Sequence, residues 1–116
     1  MSASKFHLGS LIAILDYNKL QIDGTNDEVM PIEPVVDKWV SFNWHVQRIN
    51  GHNYYEIIES IEAAKKVTAK PSIIIADTIK GKGVSYMENV CDWHGRAPDD
   101  EQHAAAIMEI KSNKNQ

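Results

Sequence analysis

The sequence has one cysteine, Cys91, so no disulfide can form within the chain, and a reducing, cytoplasmic setting fits. No helix start or obvious base flanks that thiol, which therefore reads as a bystander rather than a nucleophile. An excess of positive charge is also missing: 12 Lys and Arg stand against 16 Asp and Glu, a net charge of −4. Nucleic acid and anionic membrane surfaces call for a basic face, and the lysines here are scattered, so neither is expected as a partner. No apolar run approaches the length that crosses a bilayer. The opening residues, Met1-Ser-Ala-Ser-Lys-Phe-His7, carry no apolar stretch of the signal-peptide kind. There is no Gly-x-Ser-x-Gly nucleophile motif, no dinucleotide Gly-x-Gly-x-x-Gly and no P-loop. No two His or Cys residues stand at a metal-ligand spacing. Repeats and low-complexity blocks are absent, and only Lys111-Ser-Asn-Lys-Asn-Gln116 reads as a disordered polar tail.

What is present is ordinary globular composition, 43% hydrophobic and 24% charged over 116 residues, enough for one modest core. Leu11-Ile-Ala-Ile-Leu15 is a nearly continuous apolar run and reads as a strand buried on both faces. A polar turn from Asp16 to Asp27 follows, with Gly24 as its break. Pro34 suits the first turn of a helix over about 34–42, with Val36, Trp39 and Val40 at helical spacing. Trp44 to Ile49 alternates and reads as a second strand, closed by the turn dipeptide Asn50-Gly51. Asn53 followed by Glu56 has the chemistry of a helix start, and Ile57, Ile58, Ile61, Ala64 and Val67 continue a helix over about 54–67. Ser72-Ile-Ile-Ile-Ala76 is a third buried strand, after which Thr78 to Pro98 form a long irregular loop. Asp99 then caps a last helix over about 100–110. Alternation of strands and helices predicts an α/β fold: a partial parallel β-sheet with flanking helices and right-handed crossovers.

Ligands of open parallel sheets bind beyond the carboxyl ends of the strands. Three polar segments fall there: Asp16 to Gly24, Asn50 to Asn53, and Thr78 to Gly95. Asn18 supplies a neutral amide oxygen, and with the backbone carbonyl of Leu20 it can provide two of the hard ligands Mg²⁺ prefers; alone, the segment is explained more simply by an Asx-turn. His52, before a helix, reads more simply as a cap or surface residue. Lys80-Gly-Lys-Gly83 allows close backbone approach and offers a cation to an anionic group, a weak signal by itself. His94, between Trp93 and Gly95, can transfer a proton or bind an anion, or can equally be a solvated residue beside a packed Trp.

Taken jointly these segments are specific. Asp16-Tyr-Asn-Lys-Leu-Gln-Ile-Asp-Gly24, Asn50-Gly-His52, Lys70-Pro71, Thr78-Ile-Lys-Gly-Lys-Gly-Val-Ser85 and Asp92-Trp-His-Gly-Arg-Ala-Pro98 resemble, in order and spacing, the separately encoded N-terminal subunit of transketolase. The resemblance runs from about Ser4 to about Ile110 and implies a partial thiamine-diphosphate-binding domain over residues 1–110, the later part of that domain. It implies that Asn18 binds the Mg²⁺ that holds the diphosphate, that Leu20 gives that metal a backbone carbonyl, and that Ile22 packs near the thiazolium ring. His94 corresponds to a histidine near the diphosphate and the sugar that helps transfer protons, and Lys80 falls near the cofactor.

The resemblance further implies transfer of a two-carbon ketol unit between sugar phosphates, in the carbohydrate metabolism of the pentose phosphate pathway. The partner it implies is a C-terminal, pyrimidine-domain subunit, or homologous subunits. One departure is prominent. The family motif begins with Gly-Asp-Gly, whose aspartate is the principal charged metal ligand, and this sequence contains no Gly-Asp-Gly. The expectation is that these residues alone are inactive. Two other readings stay open: a deoxyxylulose-phosphate synthase-like fragment, which Lys80 and Trp93-His-Gly95 favour, and a non-catalytic remnant or association module.

Overall fold

A computed structural model describes residues 1–113. In chain order the elements are α1 (Ser2–Lys5), β1 (Ile12–Tyr17), β2 (Leu20–Gln21), β3 (Gly24–Thr25), α2 (Asn26–Val29), α3 (Val35–Ser41), β4 (His45–Asn50), α4 (Tyr54–Lys65), β5 (Ser72–Asp77), a 3₁₀ turn (Cys91–His94) and α5 (Asp100–Asn113). They fall into two compact units: Met1–Asn18 with Pro31–Thr78, and Lys19–Met30 with the residues from Ile79 onward.

The first unit is a three-stranded parallel sheet in the order β1-β5-β4, as the α/β alternation predicts. Ser72-Ile-Ile-Ile-Ala-Asp77 is the central strand, and its first five residues are all buried, as a strand with neighbours on both edges and apolar side chains on both faces requires. One face presents Ile73 and Ile75, which pack with Tyr17, Val35 and Trp44 into the core. Trp39 of α3 meets Trp44 edge to face, with ring centroids 4.8 Å apart. The other face presents Ile74 towards α4, where Ala64 is fully buried. Helix α4 begins as its sequence dictates: the Asn53 side-chain oxygen accepts from the backbone N–H of Tyr55 (3.0 Å) and Glu56 (3.3 Å).

Strand β1 departs from the expectation of burial on both faces. Ile14 is 60% exposed. The reason is topological: β1 is an edge strand, and Ile14 lines an open groove of about 260 Å³ beside α4, with Ile49, Ile57, Ile61 and Ile74.

In the second unit the expected polar turn carries structure of its own. β2 and β3 form a short antiparallel hairpin, pairing Leu20 with Thr25 and Gln21 with Gly24. Thr25 and Glu28 then close a reciprocal capping box on α2. Asp99 caps α5 as expected, its carboxylate accepting from the Gln102 N–H at 2.8 Å. The helix continues to Asn113, past the anticipated stop near residue 110. Lys111 falls in its last turn, where a cation complements the helix dipole. The expected disordered tail is therefore helical over Lys111–Asn113, and residues 114–116 lie outside the described residues. No helix among the described residues is long and apolar enough to cross a membrane.

Candidate functional site

Because the three strands are parallel and in register, their carboxyl ends coincide: Tyr17 and Asn50 both pair with Asp77. The sheet therefore gathers Asn18, the Asn50–Asn53 turn and Thr78 along one edge. Each is held by local chemistry. The Asn50 side-chain oxygen accepts from the His52 N–H at 3.0 Å, an Asx-turn that accounts for the residues around His52 without a ligand. Gly51 donates its N–H to the Asp77 carbonyl at 2.8 Å. Gly51 lies so close to the neighbouring strand that a Cβ there would come within 2.5 Å of Thr78 Cγ2. Thr78 in turn donates its N–H to the Tyr17 carbonyl (3.3 Å) and its hydroxyl to the Asp16 carboxylate.

On the opposite face a second set of polar groups fixes the same edge. Tyr17 donates its hydroxyl to Glu33 at 2.7 Å, and Glu33 also accepts the Val35 N–H at 2.7 Å. Arg48 makes a two-pronged bond to Asp77, 2.7 and 2.8 Å, with its guanidinium 5.3 Å from the Tyr17 ring centroid. The Tyr17 hydroxyl, then the Val35 amide, hold the Glu33 carboxyl below the usual carboxylate range, with Arg48 adding to that and burial opposing it. The bond to Asp77 likewise raises Arg48 above its ordinary value. Nothing in the sequence signals this network, since Tyr17, Glu33, Arg48 and Asp77 belong to no shared motif and meet only through the strand order.

Asn18 follows β1 directly and is half-buried, and Lys19 after it turns the chain with a positive φ of 63°. A left-handed, non-glycine residue at a strand end is a feature of functional turns. Leu20, Ile22, Lys80 and His94 all belong to the second unit. Leu20 is half-buried in the hairpin, and Ile22, at its turn, is 60% exposed. The Lys80 carbonyl accepts from the Asn89 N–H at 3.0 Å. The glycines that follow have the conformations the sequence suggests, φ 73° at Gly81 and 96° at Gly83. Glu88 secures this loop, accepting from the Gly83 N–H at 3.0 Å and pairing with Lys82 at 3.4 Å. His94 is exposed and ends the 3₁₀ turn. That turn is anchored by Trp93, which donates to the Tyr86 carbonyl at 3.2 Å and lies 4.6 Å beneath Arg96. Trp93 is thus packed and His94 solvated.

Two of the expected site groups carry oxygens of the kind a divalent cation prefers. Asn18 and the Leu20 carbonyl offer hard but neutral oxygens. Among the described residues no group of three His, Cys, Asp or Glu is placed to hold a metal.

A parallel three-stranded sheet with flanking helices defines the class, an α/β domain. The family profile described as "Transketolase, thiamine diphosphate binding domain" matches residues 1–114, and the chain belongs to that family. It is 47% identical over 96% of its length to the 6-deoxy-6-sulfo-D-fructose transketolase subunit of Clostridium sp. strain MSTE9, of which it covers 40%. It is 41% identical over 95% of its length to one subunit of the apulose-4-phosphate transketolase of Phocaeicola vulgatus, covering 39% of it. The chain thus spans about 40% of the length of these relatives. Among solved structures, the transketolase of Campylobacter jejuni superposes with a TM-score of 0.88 at 33% identity, over 95% of this chain and 17% of that one.

Proposed function

We propose that these residues form one flank of a transketolase-type site for thiamine diphosphate and Mg²⁺, and act in two-carbon ketol transfer together with groups supplied from outside them. The observation that carries this reading is the position of Asn18, one residue beyond β1 at the carboxyl edge of the sheet, in a chain whose family binds that cofactor. Asn18 and the Leu20 carbonyl would hold the metal, Ile22 would pack near the thiazolium ring, and Lys80 would meet an anionic group. His94, exposed at the end of its turn, is free of the packing that fixes Trp93 and would move a proton on the sugar. When bound, thiamine diphosphate supplies the carbanion that makes carbon–carbon cleavage feasible.

The substrate class follows the relatives' names, one a sulfonated and one a phosphorylated sugar. We infer a ketose bearing a terminal anion, with sugar phosphates as the first to assay. The same relatives are named as subunits acting on sugars, which supports a separately encoded partner, the pyrimidine-domain subunit, and a role in carbohydrate metabolism; a cytoplasmic setting belongs to the same proposal. The neutral donor set supports the corollary that the 116 residues alone do not turn over. The test is complementation. Fusing the Gly-Asp-Gly-bearing region of a relative ahead of the chain, and adding the pyrimidine-domain subunit, is expected to give ketol transfer that depends on thiamine diphosphate and Mg²⁺. Asn18→Ala is expected to remove it at limiting Mg²⁺. A complemented protein that binds no thiamine diphosphate would overturn the assignment.

A further inference from the structure

We propose that Thr78 is a positioning residue for Asn18, clamping the end of β1 so that the amide oxygen is presented rather than searched for. The idea rests on reading Asn18 as a metal ligand, and its own content is the ordering of that residue. Three observations carry it. First, Thr78 reaches the two residues before Asn18 by separate bonds, its N–H to the Tyr17 carbonyl and its hydroxyl to the Asp16 carboxylate. The second bond is made to a carboxyl group rather than to a backbone carbonyl, so it holds a side chain as the first holds the backbone. Second, the clamp is seated from behind: Gly51 packs against Thr78 so closely that only a residue without Cβ fits, 2.5 Å from Cγ2 and 3.1 Å from the Ala76 Cβ. Third, Asp16 and Tyr17 point to opposite faces, so the Thr78 bond on one face is opposed by the Tyr17–Glu33 bond on the other, 2.7 Å long. Asn18 leaves the sheet from a segment tied on both sides, and Lys19 turns the chain immediately after it.

This division of labour matters because a neutral ligand is weak. A carboxylate attracts a divalent cation over several ångströms, whereas an amide oxygen contributes only when it already stands in the coordination shell. Ordering it beforehand removes an entropy cost that binding would otherwise meet. Thr78 touches neither the metal nor the substrate in this scheme. It acts through β1.

The test separates positioning from stability and from the cofactor assignment. Thr78→Val removes the hydroxyl at nearly constant shape, and Thr78→Ser keeps the hydroxyl while shedding the methyl. In ¹⁵N relaxation measurements on the full chain, the expected result is a lower order parameter at Asn18 in Thr78→Val and recovery in Thr78→Ser. Wild-type order at Asn18 in Thr78→Val overturns the proposal, as does equal loosening in both variants. In the complemented protein, cofactor uptake is followed by titrating Mg²⁺ at fixed thiamine diphosphate. Thr78→Val is expected to raise the half-saturating Mg²⁺ by up to about tenfold, the lower end of the loss when a partner bonded directly to a ligand is removed, because Thr78 acts through the residues preceding Asn18; Thr78→Ser is expected to stay near wild type. An unchanged Mg²⁺ midpoint in Thr78→Val also overturns the proposal. If wild type takes up no cofactor, the site assignment fails, and the relaxation measurement still decides whether Thr78 orders Asn18.

Discussion

Gly51→Ala is expected to destabilise the first unit by about 1–3 kcal/mol, the usual range for forcing carbon into filled space. The structure says where that penalty arises. The new Cβ would meet Thr78 Cγ2 at 2.5 Å, and the Ala76 Cβ and the Asp77 carbonyl oxygen both at 3.1 Å. Carbon atoms rest at about 3.5–4.0 Å, so the methyl clash is about 1 Å deep and the carbon contact at Ala76 only a few tenths. Most of the penalty therefore passes through one methyl group. Thr78→Ser deletes it, at about 0.8 kcal/mol for the lost apolar burial. The double variant should then be more stable than the sum of the single changes by about 1 kcal/mol or more. Urea unfolding of the four proteins at constant m-value measures this directly. Additivity within about 0.5 kcal/mol would refute the packing argument, because it would mean Gly51 and Thr78 do not share the space.

The buried centre of the sheet gives a second expectation. Ile75 is fully buried among Tyr17, Val35 and Trp44, so Ile75→Ala should lower stability by about 2–5 kcal/mol, read as a shift in the urea midpoint; a loss under about 1 kcal/mol would contradict that packing. A third expectation concerns acid. Glu33 titrates below the usual carboxylate range in the folded state, so its contribution is present at and above that range and is lost as the pH falls through the depressed value. Glu33→Gln should flatten that acid limb of a stability–pH curve, and superimposable limbs would rule out the Tyr17 bond as its origin.

Much of the sheet unit is legible in the sequence because its signals are local. A run such as Ile73-Ile-Ile75 has no polar face, and Asn53 with Glu56 carries its capping chemistry in four residues. The exposure of Ile14 is not legible, because an apolar run looks the same whether a strand has one neighbour or two, and strand order is not a local property. The short helix after Thr25 escapes notice although Thr25-Asn-Asp-Glu28 spells a capping box, since four polar residues show no periodicity. The end of α5 falls later than the apolar pattern suggests for the same reason: Lys111, Ser112 and Asn113 extend the helix without adding to an apolar stripe. Of the candidate site, the positions Asn18, Leu20, Ile22, Lys80 and His94 come from motif resemblance. Their supports do not. Thr78 reaches Asp16 across 62 residues of sequence, and Glu88 folds back on the Lys80–Gly83 loop by a choice of partner that spacing does not encode.

The strand order also bears on how this protein is made. β5 is the shared neighbour of β1 and β4, which do not pair with each other. It is also the last of the three to leave the ribosome. Until Ser72–Asp77 emerges, β1 and β4 lack the one strand among the described residues that joins them. These three strands therefore cannot join one by one in chain order; they come together in a late event that closes a long loop on β1 and a shorter one on β4. A nascent chain stalled before Pro71 should behave as an aggregation-prone intermediate, while release of the next dozen residues should be enough to draw it into its native pairing.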